Sequence, residues 1–462
     1  MVHGRVVEAA LAMGGELISD RADAVWQGAS LDSRKVSAGE LFFALPGEKS
    51  DGHEFVDSAL ERGAAAAIVR EGMPLPTSGA AIVVDDTFEA LHRLTRAVRN
   101  EVPERLISIT GSVGKTTTKE LLTEMLAKQY RVAKNPGNLN NLYGFPIALL
   151  GIPDDTEWMV AEMGMSTPGE LSQISRLGRP DVAVFTNVRP VHLEFFGSLR
   201  KIADAKAELL DGLSEGGTVI ANRDDAEVMR IAQSHEGPVV WYALEVDADY
   251  EVREIEPLGE GRVGTRFVLV ASGEEIEIEL ALHGRYNVEN FAAAAACAHT
   301  LGISLDSIQA AARSARSEPM RGIVHAMNSG TWLIDDSYNS NPQAALAALR
   351  SALDFPGDRY WAVLGDMLEL GETSPRLHEQ VGEEAAALGF SPIVGVGDLA
   401  RNLIRGAASG GAETRWFADA AAASAALRGA LQAGDVTLVK GSRGVGLERV
   451  VQALKGGTGE DV

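Results

Sequence analysis

The sequence is nearly without cysteine: Cys297 is the only one among 462 residues. No internal disulfide can form, which fits a reducing compartment. Cys297 lies in the alanine-rich stretch Phe291-Ala292-Ala293-Ala294-Ala295-Ala296-Cys297, where a small buried side chain is expected. Basic residues are also in deficit. Lys and Arg total 42 against 65 Asp and Glu, a formal net charge of −23, and no Lys or Arg run interrupts the pattern. Such a surface repels both a nucleic-acid backbone and an anionic membrane, so neither is expected as a main partner. Long apolar runs are missing as well. No uninterrupted stretch approaches the roughly 18 residues of a membrane span, and the opening MVHGRVVEAALAMGGEL carries Glu8 within its apolar part and lacks a signal-peptide core. These absences lead to the expectation of a cytoplasmic protein. No repeat of fixed period and no low-complexity block is present.

The composition is otherwise that of an ordinary globular protein, 45% hydrophobic and 23% charged. At roughly 150 residues per domain the length implies about three domains. Pattern changes divide the chain into three zones. The first, to about residue 100, alternates short strands with helices: strands are predicted near 25–31, 41–45, 64–69 and 80–84, a loop over 46–53 and a helix over 87–100. Pro103 marks a linker. The second zone has buried strand runs at 106–110, 159–161, 182–185 and 218–220, with helices from 119 and from 288 and an antiparallel ribbon at 267–270 and 275–280. The third repeats the βα rhythm, with strands at 331–334, 360–364, 393–396 and 436–439 and a frayed tail after Leu454. Strands alternating with helices argue for an α/β protein with a central, mostly parallel sheet wrapped by helices.

The strongest chemical signal is Thr110-Gly111-Ser112-Val113-Gly114-Lys115-Thr116-Thr117, between a buried strand and a helix. Glycines let the backbone turn so that successive N–H groups face phosphate oxygens, and the helix N-terminus adds positive potential. Lys115 is placed to neutralise the β- and γ-phosphates and the Thr116 hydroxyl to hold Mg²⁺. The full phosphate-loop pattern asks for a glycine where Ile109 stands, so this is a variant loop. It indicates a nucleoside triphosphate without naming a reaction.

Other chemistry-bearing residues follow strand ends. Glu162, in Glu162-Met163-Gly164, is a carboxylate beside the phosphate loop and can bind Mg²⁺ directly; the competing reading is a solvated strand-end glutamate. His192, in Val191-His192-Leu193-Glu194, can ligate metal, orient a phosphate or be structural. Lys206 lies in the helical stretch Ala205-Lys206-Ala207-Glu208, where nothing local distinguishes it from a solvent-facing charge. Asn138, Asn140 and Asn141 form a dense set of amides that can bind substrate or simply make a turn.

Taken together, the phosphate loop, Asn138-Leu139-Asn140-Asn141, Glu162-Met163-Gly164, His192-Leu193-Glu194 and Ala205-Lys206-Ala207-Glu208 resemble the Mur ligase superfamily, ATP-dependent amide-forming enzymes of peptidoglycan assembly. Four later segments are similar to its D-alanyl-D-alanine-adding branch. They are Gly284-Arg285-Tyr286-Asn287-Val288-Glu289-Asn290, Asp335-Asp336-Ser337-Tyr338-Asn339-Ser340-Asn341-Pro342, Leu364-Gly365-Asp366-Met367-Leu368-Glu369-Leu370-Gly371 with His378, and Lys440-Gly441-Ser442-Arg443. The resemblance spans nearly the whole chain, and the glycine missing at Ile109 is missing in the family's loop too.

The resemblance implies three domains: residues 1–101 for the uridine-nucleotide substrate, 102–317 for ATP, and a Rossmann-like 318–462 for the incoming dipeptide. It implies ATP and Mg²⁺, with UDP-MurNAc-tripeptide and D-Ala-D-Ala as small-molecule substrates of a monomer. The implied catalytic residues are Lys115, His192, Lys206 and Arg321. Magnesium is assigned to Thr116, Glu162, His192 and Lys206, the last often carbamylated in relatives. The nucleotide is assigned to residues 111–117 (Gly111, Ser112, Val113, Gly114, Lys115, Thr116, Thr117), to Asn287 and Asn290 near adenine, and to Arg321 and Asp336 at phosphate and ribose. Asp335 competes with its neighbour for that last place. The uridine substrate is assigned to Ser33, Arg34, Asp51 and His53, and further substrate contacts to Asn138 and Asn141. Asp366, Glu369, His378, Lys440, Ser442 and Arg443 are third-domain candidates. The alternatives are a folylpolyglutamate synthase-like ligase, whose loop falls nearer the N-terminus, a ligase adding lysine or diaminopimelate, whose Asp-Asn-Pro-Arg signature is absent here, and a nucleotide-dependent regulatory module without turnover.

Overall fold

The computed structural model describes residues 4–19, 23–47, 50–101, 105–191, 193–259, 261–327 and 330–456. Its main sheets, among the described residues, have five, nine and six strands in chain order. The first runs Glu16–Ile18, Ala81–Val84, Ala66–Arg70, Leu41–Phe43, Ala29–Ser30, parallel except for its Glu16–Ile18 edge. The second is parallel from Val132–Lys134 through Trp158–Glu162, Arg105–Thr110, Val182–Phe185, Thr218–Asn222 and Val239–Ala243 to Tyr250–Pro257, and ends in the antiparallel pair Thr265–Ala271 and Glu274–Leu280. The third is parallel apart from the hairpin Ile323–Met327/Thr331–Asp336, whose second strand pairs with Asp435–Lys440.

A parallel strand covered on both faces reads as a continuous apolar run, because successive side chains enter two different cores. Leu106, Met159, Ala183 and Val219 enter one core, and Ile107, Val160, Val184 and Ile220 the other. The second core is closed by the helices Lys115–Leu126 and Arg285–Thr300, and the alanines and Cys297 of the latter allow close approach. The first core is shared with the N-terminal unit: Phe43, Ile68, Ile82 and Leu91 join one apolar cluster with Phe145 and Leu171. At the same seam His92 Nε2 lies 2.8 Å from the carbonyl of Leu142, and Arg99 Nε donates to Gly178 O at 2.6 Å. These two units therefore form one packed body.

The third unit keeps cores of its own. It meets the central unit at a more polar seam, where His283 Nε2 stands 2.9 Å from Ser351 O and 3.1 Å from Asp354 Oδ2, and where Glu194 N donates to Glu369 O at 3.4 Å. A seam of that kind costs less to open than a shared apolar core.

Several elements differ from the sequence-based expectation. The helix expected from residue 119 begins at Lys115, directly on the loop. The segment expected as a loop over 46–53 ends in a 3₁₀ turn, Gly52–Phe55. Tyr250–Pro257 extends the parallel sheet before the chain reverses. The short edge strands Val132–Lys134 and Thr414–Phe417 carry too few residues for periodicity to reveal. Pro103 lies outside the described residues, as does the tail from 457.

Candidate functional site

The phosphate-loop strand Arg105–Thr110 lies between Trp158–Glu162 and Val182–Phe185, so three strand ends converge on the loop. Ile109 is a fully buried strand residue opposite Glu162 and Val184, which is why the turn starts two residues later, at Gly111. Both loop glycines are required sterically. A Cβ on Gly111 would stand 1.9 Å from Thr186 Oγ1; Gly114 has φ 88°, and its Cβ would stand 2.0 Å from Asn290 Oδ1. Residues 186–187 fix the loop: Ser112 N donates to Asn187 O at 2.9 Å, Val113 N to Asn187 Oδ1 at 3.1 Å, and Thr186 Oγ1 to Val113 O at 2.8 Å. The helix starting at Lys115 has no side-chain cap. An α-helix leaves its first N–H groups without intrahelical partners, so this end presents donors to an anion. Lys115 Nζ folds back onto Gly111 O at 2.8 Å.

Glu162 is buried, not solvated at the strand end. Its Oε2 accepts the Thr116 hydroxyl at 2.7 Å and its Oε1 accepts Asn140 Nδ2 at 2.7 Å. Burial pushes this carboxyl up, but Lys115 together with these hydrogen bonds outweighs it and holds Glu162 ionised below its usual range. Lys206, on the helix Leu199–Ala207, is not the solvent-facing charge its local sequence left open: it is 3% exposed. Among the described residues no ion pair or hydrogen bond engages its Nζ. Desolvation, with repulsion from Lys115, brings its pKa well below the ordinary lysine range. Thr116 and Glu162 supply hard oxygen donors suited to Mg²⁺. His192 lies outside the described residues, and among those described no cluster of three His, Cys, Asp or Glu side chains stands ready for a metal.

Phosphate loop, Glu162 and Lys206 open into one cavity of about 660 Å³ between the central and third units. Asn287, Asn290, Arg321 and Asp336 line it too, as do Asn138 and Asn141. The charge inside reverses that of the whole chain: Lys115, Arg189, Lys206, Arg321, Lys440 and Arg443 face Glu162, Glu289, Asp336 and Glu369. Such focusing draws in an anionic ligand despite the acidic exterior. Asp336 rather than Asp335 reaches the cavity. Asp336 sits in register with Lys440 and pairs with its Nζ at 2.5 Å, whereas Asp335 is consumed by Ser337, accepting its hydroxyl at 2.6 Å. Burial still pushes the Asp336 carboxyl upward against the pull of Lys440.

Other sequence candidates are not brought here. Ser33, Arg34, Asp51 and His53 do not line the cavity. Arg34 pairs with Asp32 at 2.8 Å, and His53 is held between Asp51 Oδ1 at 2.6 Å and Arg70 N at 3.0 Å. Asn141 Oδ1 accepts Gly144 N at 2.8 Å in the turn that leads into the helix Gly144–Leu150, and the residue also lines the cavity. Glu369, Lys440, Ser442 and Arg443 line the cavity; Asp366 and His378 do not. Asp366 accepts Ala400 N at 2.7 Å, and buried His378 accepts Met367 N at 2.9 Å, both structural duties.

Sequence reasoning missed Arg189, Glu289 and Tyr338, all cavity-lining. Arg189 pairs with buried Asp225 at 2.6 Å, Glu289 accepts Asn222 Nδ2 at 2.7 Å, and Tyr338 carries the Arg321 guanidinium 4.0 Å from its ring centroid. Glu289 and Tyr338 sit inside quoted motifs, so their neighbours were the available signal. Arg189 had only its position after a strand end.

Three family profiles match in order along the chain: "Mur ligase family, catalytic domain" over residues 26–107, "Mur ligase middle domain" over 109–298, and "Mur ligase, glutamate ligase domain" over 320–443. The UDP-N-acetylmuramoyl-tripeptide–D-alanyl-D-alanine ligase of Escherichia coli is 35% identical over 96% of this chain and 96% of its own. A crystal structure of MurF from Acinetobacter baumannii superposes with TM-score 0.88 at 30% identity, covering 98% of this chain and 99% of that one. MurF from Thermotoga maritima in complex with ADP gives TM-score 0.83 at 29% identity, over 94% and 98%.

Proposed function

Because the chain belongs to the Mur ligase family, we propose that it joins D-alanyl-D-alanine to UDP-N-acetylmuramoyl-tripeptide as ATP is converted to ADP and phosphate, giving the UDP-linked pentapeptide precursor of peptidoglycan. The observation that carries this reading is the single cavity in which the phosphate loop and Lys206 of the central unit face Arg321, Asp336 and Lys440. Relatives of that name match almost end to end.

Residues 1–101 hold the uridine-nucleotide end, through Ser33, Arg34, Asp51 and His53, away from the reacting atoms. Residues 102–317 hold ATP, and 318–462 hold the dipeptide. Phosphates rest on the N–H groups of residues 111–117 with Lys115 beside them; Asn287 and Asn290 lie towards adenine, and Arg321 and Asp336 meet phosphate and ribose. Asn138 and Asn141 contact the peptide substrate. The enzyme acts as a monomer in the cytoplasm on water-soluble substrates; among the described residues no helix is long and apolar enough to cross a membrane.

Hydroxide is a poor leaving group, so the carboxylate must first be activated. A carboxylate oxygen of the tripeptide attacks the γ-phosphorus, the bond to the ADP oxygen breaks, and an acyl phosphate forms. The amine of D-Ala-D-Ala then attacks the acyl carbon. The C–O bond to phosphorus breaks, inorganic phosphate leaves carrying the former carboxylate oxygen, and the amine gives up a proton. Lys115 and the loop N–H groups stabilise the charge that develops on the transferring phosphoryl. Acyl phosphates hydrolyse readily, so closure of the third unit over the cavity, with Arg321 and Asp336, keeps water out.

The hard oxygens of Glu162 and Thr116 suit Mg²⁺, with His192 and Lys206 as the remaining ligands. Lys206 fits this place as a carbamate: an unprotonated buried amine adds to CO₂ and loses a proton, turning a neutral nitrogen into an anionic oxygen ligand. Bound Mg²⁺ supplies charge neutralisation for the polyphosphate.

Incubation with ATP, UDP-MurNAc-tripeptide and D-Ala-D-Ala tests the proposal. Phosphate release is expected only when all three are present. Release from ATP alone at the same rate contradicts it and points to a generic nucleotidase.

A further inference from the structure

Lys119 is 1% exposed, on the phosphate-loop helix one turn beyond Lys115 and Thr116. A lysine so deeply enclosed pays heavily in desolvation unless it holds something in place. Its Nζ donates to the carbonyl of Asn135 at 2.8 Å, with Glu120 Oε1 at 3.4 Å. Asn135 is fully buried, and both ends of its amide grip the backbone of Glu162: Oδ1 accepts Glu162 N at 2.9 Å, and Nδ2 donates to Glu162 O at 3.0 Å. The same Nδ2 donates to Leu139 O at 2.8 Å, fixing the turn from which Asn140 reaches Glu162 Oε1. The phosphate-loop helix thus holds Glu162 by two routes. One is direct, through the Thr116 hydroxyl; the other runs from Lys119 through Asn135 to the residue's own peptide groups.

We infer that Lys119 and Asn135 are positioning residues that fix the Glu162 carboxylate for the divalent cation, tying its place to that of the phosphate loop. The inference rests on the proposed cation-binding role of Glu162. Neither residue touches nucleotide or metal; they act through the strand-end peptide whose side chain does. Partners of this kind, one bond removed from a ligand, typically change metal affinity by about 10–100-fold.

The test compares wild type with Lys119→Met, Asn135→Ala and Glu162→Gln. Mn²⁺ binding to the protein–ADP complex is followed by electron paramagnetic resonance of free Mn²⁺, and ADP binding in EDTA by calorimetry. Glu120 retains Lys134 as a partner in Lys119→Met, so that variant is not left with an orphaned carboxylate; thermal melts accompany each protein, and Asn135→Ala serves if Lys119→Met melts early. The expected result is a loss of about tenfold in Mn²⁺ affinity in Lys119→Met and Asn135→Ala, with metal-free ADP affinity changed less than threefold. A general loosening of the fold moves both quantities together and overturns the inference. Mn²⁺ affinity within twofold of wild type in both variants, alongside a clear loss in Glu162→Gln, also overturns it and leaves the role of Glu162 standing. No loss in Glu162→Gln removes the cation-binding reading itself, and the inference with it.

Discussion

Gly114 and Asn290 are in contact so close that no side chain fits between them: a Cβ on Gly114 would lie 2.0 Å from Asn290 Oδ1. The glycine loop and the helix Arg285–Thr300, which carries Asn287 and Asn290, are therefore set against each other by a missing atom. Gly114 also has φ 88°, a conformation that costs a residue with a Cβ about 1–2 kcal/mol. Gly114→Ala should lose at least tenfold in ADP affinity by calorimetry, and unchanged affinity would contradict the close fit of loop and helix.

Lys115→Ala should abolish ADP formation without unfolding the protein. Among the described residues Lys115 Nζ donates to the Gly111 carbonyl of its own loop, and desolvation already disfavours its charge. Removing one such charge-stabilising group typically costs about 10²–10³ in turnover. Near-normal turnover removes the phosphate-loop assignment.

Lys206→Met should be inactive yet more heat-stable. A lysine buried with no ion pair or hydrogen bond to its Nζ among the described residues penalises the fold, and methionine fills similar volume without the charge. In CO₂-free buffer a melting scan should show a rise of about one to two degrees, on the order of 1 kcal/mol for a unit of this size. Lys206→Ala, which leaves space, should regain part of its activity with bicarbonate or short carboxylic acids. Failure of rescue favours an unmodified lysine with a purely electrostatic role.

His378 predicts acid sensitivity. Its Nδ1 lies 2.8 Å from Ser374 O and donates to it, so the neutral ring must accept Met367 N through Nε2, at 2.9 Å. Burial lowers its pKa in the folded state, chiefly through desolvation. Between that lowered value and the ordinary value of about 6.5 the unfolded chain binds more protons, so stability present above about pH 6.5 is lost as pH falls. Urea titrations at pH 7.5 and 5.5 should show a steeper loss in wild type than in His378→Gln. The amide oxygen of glutamine can accept Met367 N without titrating.

The glycine turn between strand and helix and the parallel core strands were legible because each rests on local chemistry: glycines at fixed offsets, and apolar runs that two cores fill from alternate sides; the order of the strands was not. Nor was the burial of Lys206, since its helix looks amphipathic and only the tertiary packing around the cavity buries it; the residue itself was singled out by resemblance. The choice between Asp335 and Asp336 waited on strand register, which sets Asp336 opposite Lys440. Lys119 stood at the expected start of its helix, and Lys115, Thr116 and Thr117 were assigned to the turn, which hid its place one turn beyond the loop. Ser33, Arg34, Asp51 and His53 were assigned by resemblance alone, and their absence from the cavity lining follows from the separate N-terminal sheet.

The central claim is that the terminal phosphoryl of ATP passes to a peptide carboxylate before the amide forms. Turnover of UDP-MurNAc-tripeptide labelled with oxygen-18 in its acceptor carboxyl measures this directly, with mass spectrometry of the phosphate released. The account predicts one labelled oxygen in each inorganic phosphate for each amide bond made. Phosphate free of label, with product formed at the normal rate, contradicts it.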